Sequence, residues 1–180
     1  MNNDIQFLKE LQEELKTQDT DCQAVPRFWA LMDYRWREST EGEHERISIY
    51  SSDAGECYEL NEYVENILED EYTIYTEEML EELREIYDLE DESEMLEWID
   101  ENDNDDTFPI FEIEESFIVP NTMFLTKKEA KEHIKQNQHH YTKKVHTYAM
   151  TAWRALKVQR LLTILETFDW DSIEKEGAVK

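Results

Sequence analysis

The sequence predicts an α+β fold: a small antiparallel sheet with acidic amphipathic helices and a C-terminal helical pair. Three observations carry that prediction. Apolar residues recur at three- and four-residue steps in several windows, they alternate in others, and Gly and Pro number only three each in 180 residues. The first pattern marks helices, the second strands, and the third leaves short polar turns between elements rather than flexible linkers. Two regions are expected, an acidic α+β region over 1–120 and a basic helical C-terminal module over 121–180, packed as one unit.

A first helix is read in "DIQFLKELQEELKTQ", where Ile5, Leu8, Leu11 and Leu15 follow Asp4, a side chain suited to capping. In "RFWALMDYRWR", Phe28, Ala30, Met32, Tyr34 and Trp36 share one face behind Pro26, which marks a strand. "STEGE" supplies a turn at Gly42, and "RISIY" returns as a second strand through Ile47 and Ile49; the two are expected to pair as a hairpin. "YELNEYVENILEDE" lines Leu60, Tyr63, Val64, Ile67 and Leu68 along one helical stripe. "TEEMLEELREIYD" does the same with Met79, Leu80, Leu83, Ile86 and Tyr87 behind Thr76, after a short "YTIY". Ser93 is placed to cap a further helix through Met95, Leu96, Trp98 and Ile99, which the polar run "DENDNDD" ends. "FPIFEIEESFIV" alternates, with Phe111, Ile113, Phe117 and Val119 on one face. Thr126 and Glu129 form a Thr-x-x-Glu capping pair that opens a basic helix. Trp153, Leu156, Leu161, Leu162, Leu165 and Phe168 mark a longer final helix.

An apolar share of 39%, with 12% aromatic residues, argues against wholesale disorder despite the high charge. Cys22 and Cys57 stand in no CxxC or Cys/His pairing, and no charged segment followed by an apolar run resembles a signal peptide. No apolar run approaches the roughly 18 residues of a membrane span, and "GAVK" carries no lipidation signal. A reduced, cytoplasmic protein is expected.

Charge is the strongest pattern. Of the net −27, residues 1–40 carry 8 acids and 5 bases, residues 41–120 carry 30 and 2, and residues 121–180 carry 7 and 11. Solubility asks for a net charge of only about 2–8 in magnitude in a small domain, so the middle stretch needs another explanation. At 100° per residue, Glu62, Glu65 and Glu69 lie opposite the apolar stripe of one helix, and Glu78, Glu81, Glu85 and Asp88 opposite that of the next. Such neighbours stand about 5–6 Å apart, and each like-charged pair costs roughly 0.2–0.5 kcal/mol of helix stability. Arg84 alone interrupts these rows. Carboxylates repeated along a rigid helix approximate the charge rows of a nucleic-acid backbone, which a basic nucleic-acid cleft is built to receive. Plain solvated helix faces are the alternative.

Other chemistries have little support. "DENDNDDTFPIF" offers Asp100, Asn102 and Asn104 at calcium-loop spacing. Asp105 replaces the glycine required at the sixth position, and Phe111 replaces the bidentate Glu at the twelfth, so an EF-hand is rejected. No GxSxG, P-loop, HExxH or Cys/His arrangement is present, and dozens of exposed acids do not single out a catalytic pair; a non-enzymatic protein without a cofactor or metal is expected.

Residues 121–165 hold Lys127, Lys128, Lys131, Lys135, Lys143, Lys144, Arg154, Lys157 and Arg160 against Glu129 and Glu132, with His133, His139, His140 and His146 among them. Interleaved with Tyr141, Tyr148 and Trp153, these bases suit phosphate neutralisation and base stacking, chiefly through Lys127, Lys131, Lys135, Lys143, Lys144 and Arg154. They suit equally well docking against the acidic helices of the same molecule or of a dimer mate. A zinc site from His140 and His146 lacks the thiolate pair that would support it.

The stretch "FLTKKEAKEHIKQNQHHYTKKVHTYAMTAWRALKVQRLLTILE" resembles a C-terminal module of small accessory proteins from phages and mobile elements of Gram-positive bacteria, and "LKELQEELKTQDTDCQAVPRFW" resembles their N-terminal segment. Within that class, small acidic proteins are similar to anti-defence proteins, notably type II anti-CRISPR proteins. The resemblance implies a stoichiometric inhibitor of a CRISPR effector nuclease in the bacterial host's cytoplasm. Such effectors hold their nucleic acids in positively charged channels. The expected contacts are Glu62, Glu65, Glu69, Glu78, Glu81, Glu85 and Asp88, chosen from charge geometry. A nucleic-acid-binding accessory protein using the basic C-terminal face is the alternative, and a homodimer stays open.

Overall fold

Period and alternation place the elements, and long-range strand pairing arranges them. A computed structural model describes residues 3–19, 23, 25–52, 54–70, 73–103 and 107–177, with side chains up to residue 173. Among these the chain runs α1 (Asn3–Thr17), β1 (Arg27–Glu38), β2 (Arg46–Ser51), β3 (Glu56–Glu59), α2 (Leu60–Glu69), α3 (Glu77–Asp88), α4 (Glu92–Asn102), β4 (Thr107–Ile118), α5 (Lys127–Gln136), a 3-10 turn (Gln138–His140), β5 (His146–Thr151), α6 (Leu156–Thr167) and α7 (Trp170–Gly177). The class is α+β, with an antiparallel five-stranded sheet in the order β3-β2-β4-β1-β5. No helix among the described residues is long and apolar enough to cross a membrane.

The expected β1–β2 hairpin does not form, because β4 lies between the two strands. The connection over 39–45 is longer than the two- to five-residue loops that fix hairpin register. β2 instead sets Ile47 opposite Phe111 of β4 and Ile49 opposite Tyr58 of β3. The tight hairpin is β2–β3, turned at Gly55, whose φ of 67° is left-handed backbone and whose N–H donates to Ser51 C=O at 2.8 Å. β3 and β5 are strands that the periodicity did not announce. α7 is likewise separate: the expected single final helix stops at Phe168, and Trp153 lies ahead of α6 rather than within it.

The chain divides into two compact units, residues 36–115, and residues 1–35 together with 116–180. The first 35 residues thus group with the C-terminal segment.

In the 36–115 unit, Ile47 and Ile49 of β2, Leu60, Tyr63 and Val64 of α2, Leu83 of α3, and Met95, Trp98 and Ile99 of α4 form one core. The helix starts are chemically defined. Thr76 Oγ1 accepts from Met79 N–H at 3.3 Å, and Asp91 accepts from the Ser93 and Glu94 N–H groups at 3.1 Å each. Asp91 therefore caps α4, and Ser93 sits inside its first turn. Arg46 is anchored on the sheet: its guanidinium donates to Glu112 at 2.6 and 2.9 Å and to Glu59 at 2.7 Å, and lies over the Trp36 ring at 4.2 Å.

In the other unit, Trp29 and Leu31 of β1 pack on Ala130 of α5, with Val119, Phe124, Ile134 and Ala149 around them. Trp29, Leu31 and Asp33 on one face of β1 are buried, and on the other face Ala30 is buried as well, whereas Phe28, Met32 and Tyr34 are half-buried. Asp33 is buried and accepts from the Thr142 N–H at 3.1 Å and from the Thr142 hydroxyl. α1 lies on α6 through Leu15, Leu162 and Leu165. Gln12 Nε2 donates to the Leu165 and Phe168 carbonyls at 2.9 and 3.0 Å, which satisfies acceptors that the end of α6 leaves open. Asp4 falls within the first turn of α1, where its charge favours the helix dipole.

Candidate functional site

α2 and α3 each bury one stripe and turn the other to solvent. Leu60, Tyr63 and Val64 on α2 and Leu83 on α3 face the core, which fixes the rotation of both helices. Glu62, Glu65 and Glu69, and Glu78, Glu81, Glu85 and Asp88, are consequently exposed. Among the described residues none of these seven carboxylates enters an ion pair, and exposed Arg84 neutralises none of them. The Tyr87 hydroxyl donates to Glu65, which ties α3 to α2 across the charged surface. That hydrogen bond, with desolvation and neighbouring carboxylates adding to it, holds the Tyr87 phenol above its ordinary 10.0.

The charge segregates by unit. Residues 36–115 contain 31 acids and 3 bases, a formal −28, while the remainder has 14 acids and 15 bases, a formal +1. Of the three bases, Arg46 is committed to Glu59 and Glu112. The acidic surface is therefore a property of one folded unit.

Sequence reasoning missed a cleft in that unit. About 730 Å³ in volume, it is lined by Tyr58, Tyr63, Tyr75, Glu62, Asp70 and Asp103, among others. The Tyr63 and Tyr75 hydroxyls both donate to the Asp103 carboxylate, the latter at 3.2 Å. Phenol rings beside carboxylates suit an ammonium or guanidinium group, which gains from both charge and ring face. Glu62 belongs to the cleft and to the acidic face of α2. The signal was present but read otherwise: Tyr63 counted as part of an apolar stripe, and Tyr75 as linker.

The basic residues are distributed over α5, the segment before β5 and the segment after it. Lys127 is held inside its unit, with Nζ 3.2 Å from Asp19 and 5.0 Å from the Trp29 ring centroid. Lys128 pairs with Glu14 at 2.7 Å. Lys131 and Lys135 are exposed on α5, Lys143 and Lys144 precede β5, and Arg154 follows it with its guanidinium 4.0 Å over the Trp153 ring. His133 Nε2 is 2.9 Å from the Tyr141 hydroxyl, and the His140 ring lies tilted against that of His139 at 4.0 Å between centroids. Among the described residues no three His, Cys, Asp or Glu side chains come together as a metal site. Cys57 is exposed, and Cys22 lies outside the described residues. Asp100 and Asn102 belong to α4, and Asn104, Asp105 and Asp106 lie outside the described residues. Comparison with protein-family models, curated proteins and solved structures returned no significant match to this chain.

Proposed function

We propose that the chain is a non-enzymatic inhibitor that seats the acidic faces of α2 and α3 against the basic nucleic-acid channel of a CRISPR effector nuclease in the bacterial cytoplasm. One observation carries the reading: a folded unit of formal charge −28 displays seven carboxylates on two packed helices without a pairing cation among the described residues. Rigid presentation matters because a channel lined by Lys and Arg must exchange its nucleic-acid phosphates for charges already held in place, so little ordering entropy is lost. The choice of effector rests on the resemblance of 8–29 and 124–166 to small accessory proteins of phages and mobile elements, a class whose small acidic members are similar to anti-defence proteins. Opposite charge makes association fast and salt-sensitive.

The test is target-DNA cleavage by type II effectors, with the protein added before guide loading, after guide loading and after DNA binding. Loss of cleavage that depends on the order of addition supports the inhibitor and identifies the step blocked. Charge reversal at Glu78, Glu81 and Glu85 should then abolish inhibition while the circular dichroism spectrum is unchanged. Full potency in that variant rejects this surface, and full cleavage in all three orders across several effectors rejects the function.

A further inference from the structure

The acid-rich chain contains a stretch that excludes acids. Although 45 of its 180 residues are Asp or Glu, none occurs over 133–165, which holds Lys135, Lys143, Lys144, Arg154, Lys157 and Arg160. β5 lies within this stretch and forms an edge of the sheet. Its register with β1 sets Tyr148 opposite Ala30 and His146 opposite Met32, so these four residues share one face. α5 packs on the other face, against Trp29, Leu31 and Ala149. Tyr148 is 41% exposed although Ala30, its neighbour across the ladder, is buried, and His146 is exposed. The Tyr34 ring stands 6.0 Å from the His146 ring, with Lys144 Nζ 5.6 Å from the Tyr34 centroid. Beyond the end of β5, Trp153 is 62% exposed beneath the Arg154 guanidinium, and Arg154 holds a left-handed φ of 70°. Tyr148, His146 and Trp153 therefore present open rings, with Lys144 beside the half-buried Tyr34 and Arg154 beside Trp153, in a segment free of carboxylates.

We propose that this face of β5 and β1 binds single-stranded nucleic acid, with bases stacking on Tyr148 and His146 and phosphates meeting Lys143, Lys144 and Arg154. Geometry selects single strands over duplex. Residues two apart on a strand are separated by about 6.8 Å, twice the roughly 3.4 Å base spacing of a duplex strand, so only splayed bases can follow the rings. Stacking platforms with basic rims bind in this way with little sequence preference. The net charge of −27 does not forbid it, because at physiological salt a charge acts over only about 8 Å, and the 133–165 segment itself carries six Lys and Arg and no acid. This site is independent of the inhibitor reading, since it uses other residues and another ligand.

The experiment is fluorescence anisotropy of the full chain with labelled single-stranded DNA, single-stranded RNA and a duplex of equal length, over a series of salt concentrations. Binding to at least one single strand, tighter than to duplex, is expected, and the DNA and RNA arms show which sugar is accepted. Tyr148→Ala should weaken binding about ten-fold and Tyr148→Phe should not, because the ring rather than the hydroxyl does the stacking. Lys143→Glu with Lys144→Glu should flatten the salt dependence by about 0.7 in log–log slope for each phosphate no longer neutralised. Changing Glu78, Glu81 and Glu85 to Gln should leave single-strand binding in place, which separates this result from any failure to inhibit a nuclease. Absence of binding, equal or tighter binding to duplex, or full affinity in Tyr148→Ala overturns the proposal.

Discussion

Single side chains decide how the charged and uncharged parts of this protein are held. Glu14 accepts from the Lys128 ammonium at 2.7 Å and from the buried Thr126 hydroxyl at 3.0 Å. The hydrogen bond to Lys128 is the largest cause of a Glu14 pKa below the ordinary 4.5, helped by Thr126 and by the Lys128 charge and opposed by partial burial. A carboxyl lowered on folding stabilises fully above its unfolded value and loses that contribution as pH falls through its folded value. The stability gap between the native chain and Glu14→Gln should therefore be constant above about pH 4.5 and close below it, read by urea unfolding at stepped pH. A gap that persists unchanged into acid would show that Glu14 acts through packing alone. Thr126 also caps α5 by accepting from Glu129 N–H at 3.2 Å, so Thr126→Ala should cost about 0.5–2 kcal/mol in the same measurement. On the acidic surface the sign reverses: the raised Tyr87 phenol favours the folded state below pH 10.0 and loses that contribution as pH rises through its folded value. Glu65→Gln should bring Tyr87 back toward 10.0 in an alkaline spectrophotometric titration, with Tyr87→Phe identifying the signal.

At the scale of the element, α3 sets an inner residue against an outer one. Leu83 is fully buried in the core shared with α2 and α4, whereas Glu81 is exposed on the opposite side. Leu83→Ala should cost about 2–5 kcal/mol, the usual range for a leucine cavity, and Glu81→Gln should change stability by less than about 0.5 kcal/mol. Comparable losses from both would mean that α3 is rotated relative to this description. Helical phase made that rotation legible in the sequence, and with it the exposure of all seven predicted carboxylates, because a buried leucine stripe leaves one orientation for the helix. The strands were less legible. β3 has four residues, Glu56 to Glu59, too few for alternation to stand out ahead of α2, and β5 lay in a stretch dominated by its bases. The placing of β4 between β1 and β2 depends on residues some sixty positions apart in the chain, such as Arg46 and Glu112, and no local pattern encodes such a pairing. The tyrosines of the cleft stand in the sequence, but their meeting with Asp103, which reaches Tyr63 and Tyr75 from the end of α4, is not encoded locally.

At the scale of the molecule, charge opposes stability in one unit and is nearly balanced in the other. With 31 acids against 3 bases, residues 36–115 repel themselves, and burial of Leu83, Met95, Trp98 and their neighbours must offset that repulsion. With three bases in this unit, ion pairs such as Arg46 with Glu112 leave most of its carboxylates unneutralised. Screening weakens like-charge repulsion and opposite-charge attraction alike, so the sign of the salt effect reports which dominates. Potassium chloride should raise the thermal unfolding midpoint steadily from low to physiological concentrations, without the preferential exclusion through which sulfate would act on apolar surface. A falling midpoint would mean that ion pairs hold the fold, and the carboxylate rows would then be structural rather than kept for a partner. The same titration bears on function. Under the proposed inhibitor reading, salt that stabilises the free protein should weaken its hold on a basic channel, so inhibition of a nuclease should decline over the range in which the midpoint rises. The two curves moving in opposite directions would mark the acidic helices as a surface whose repulsion is relieved by a cationic partner.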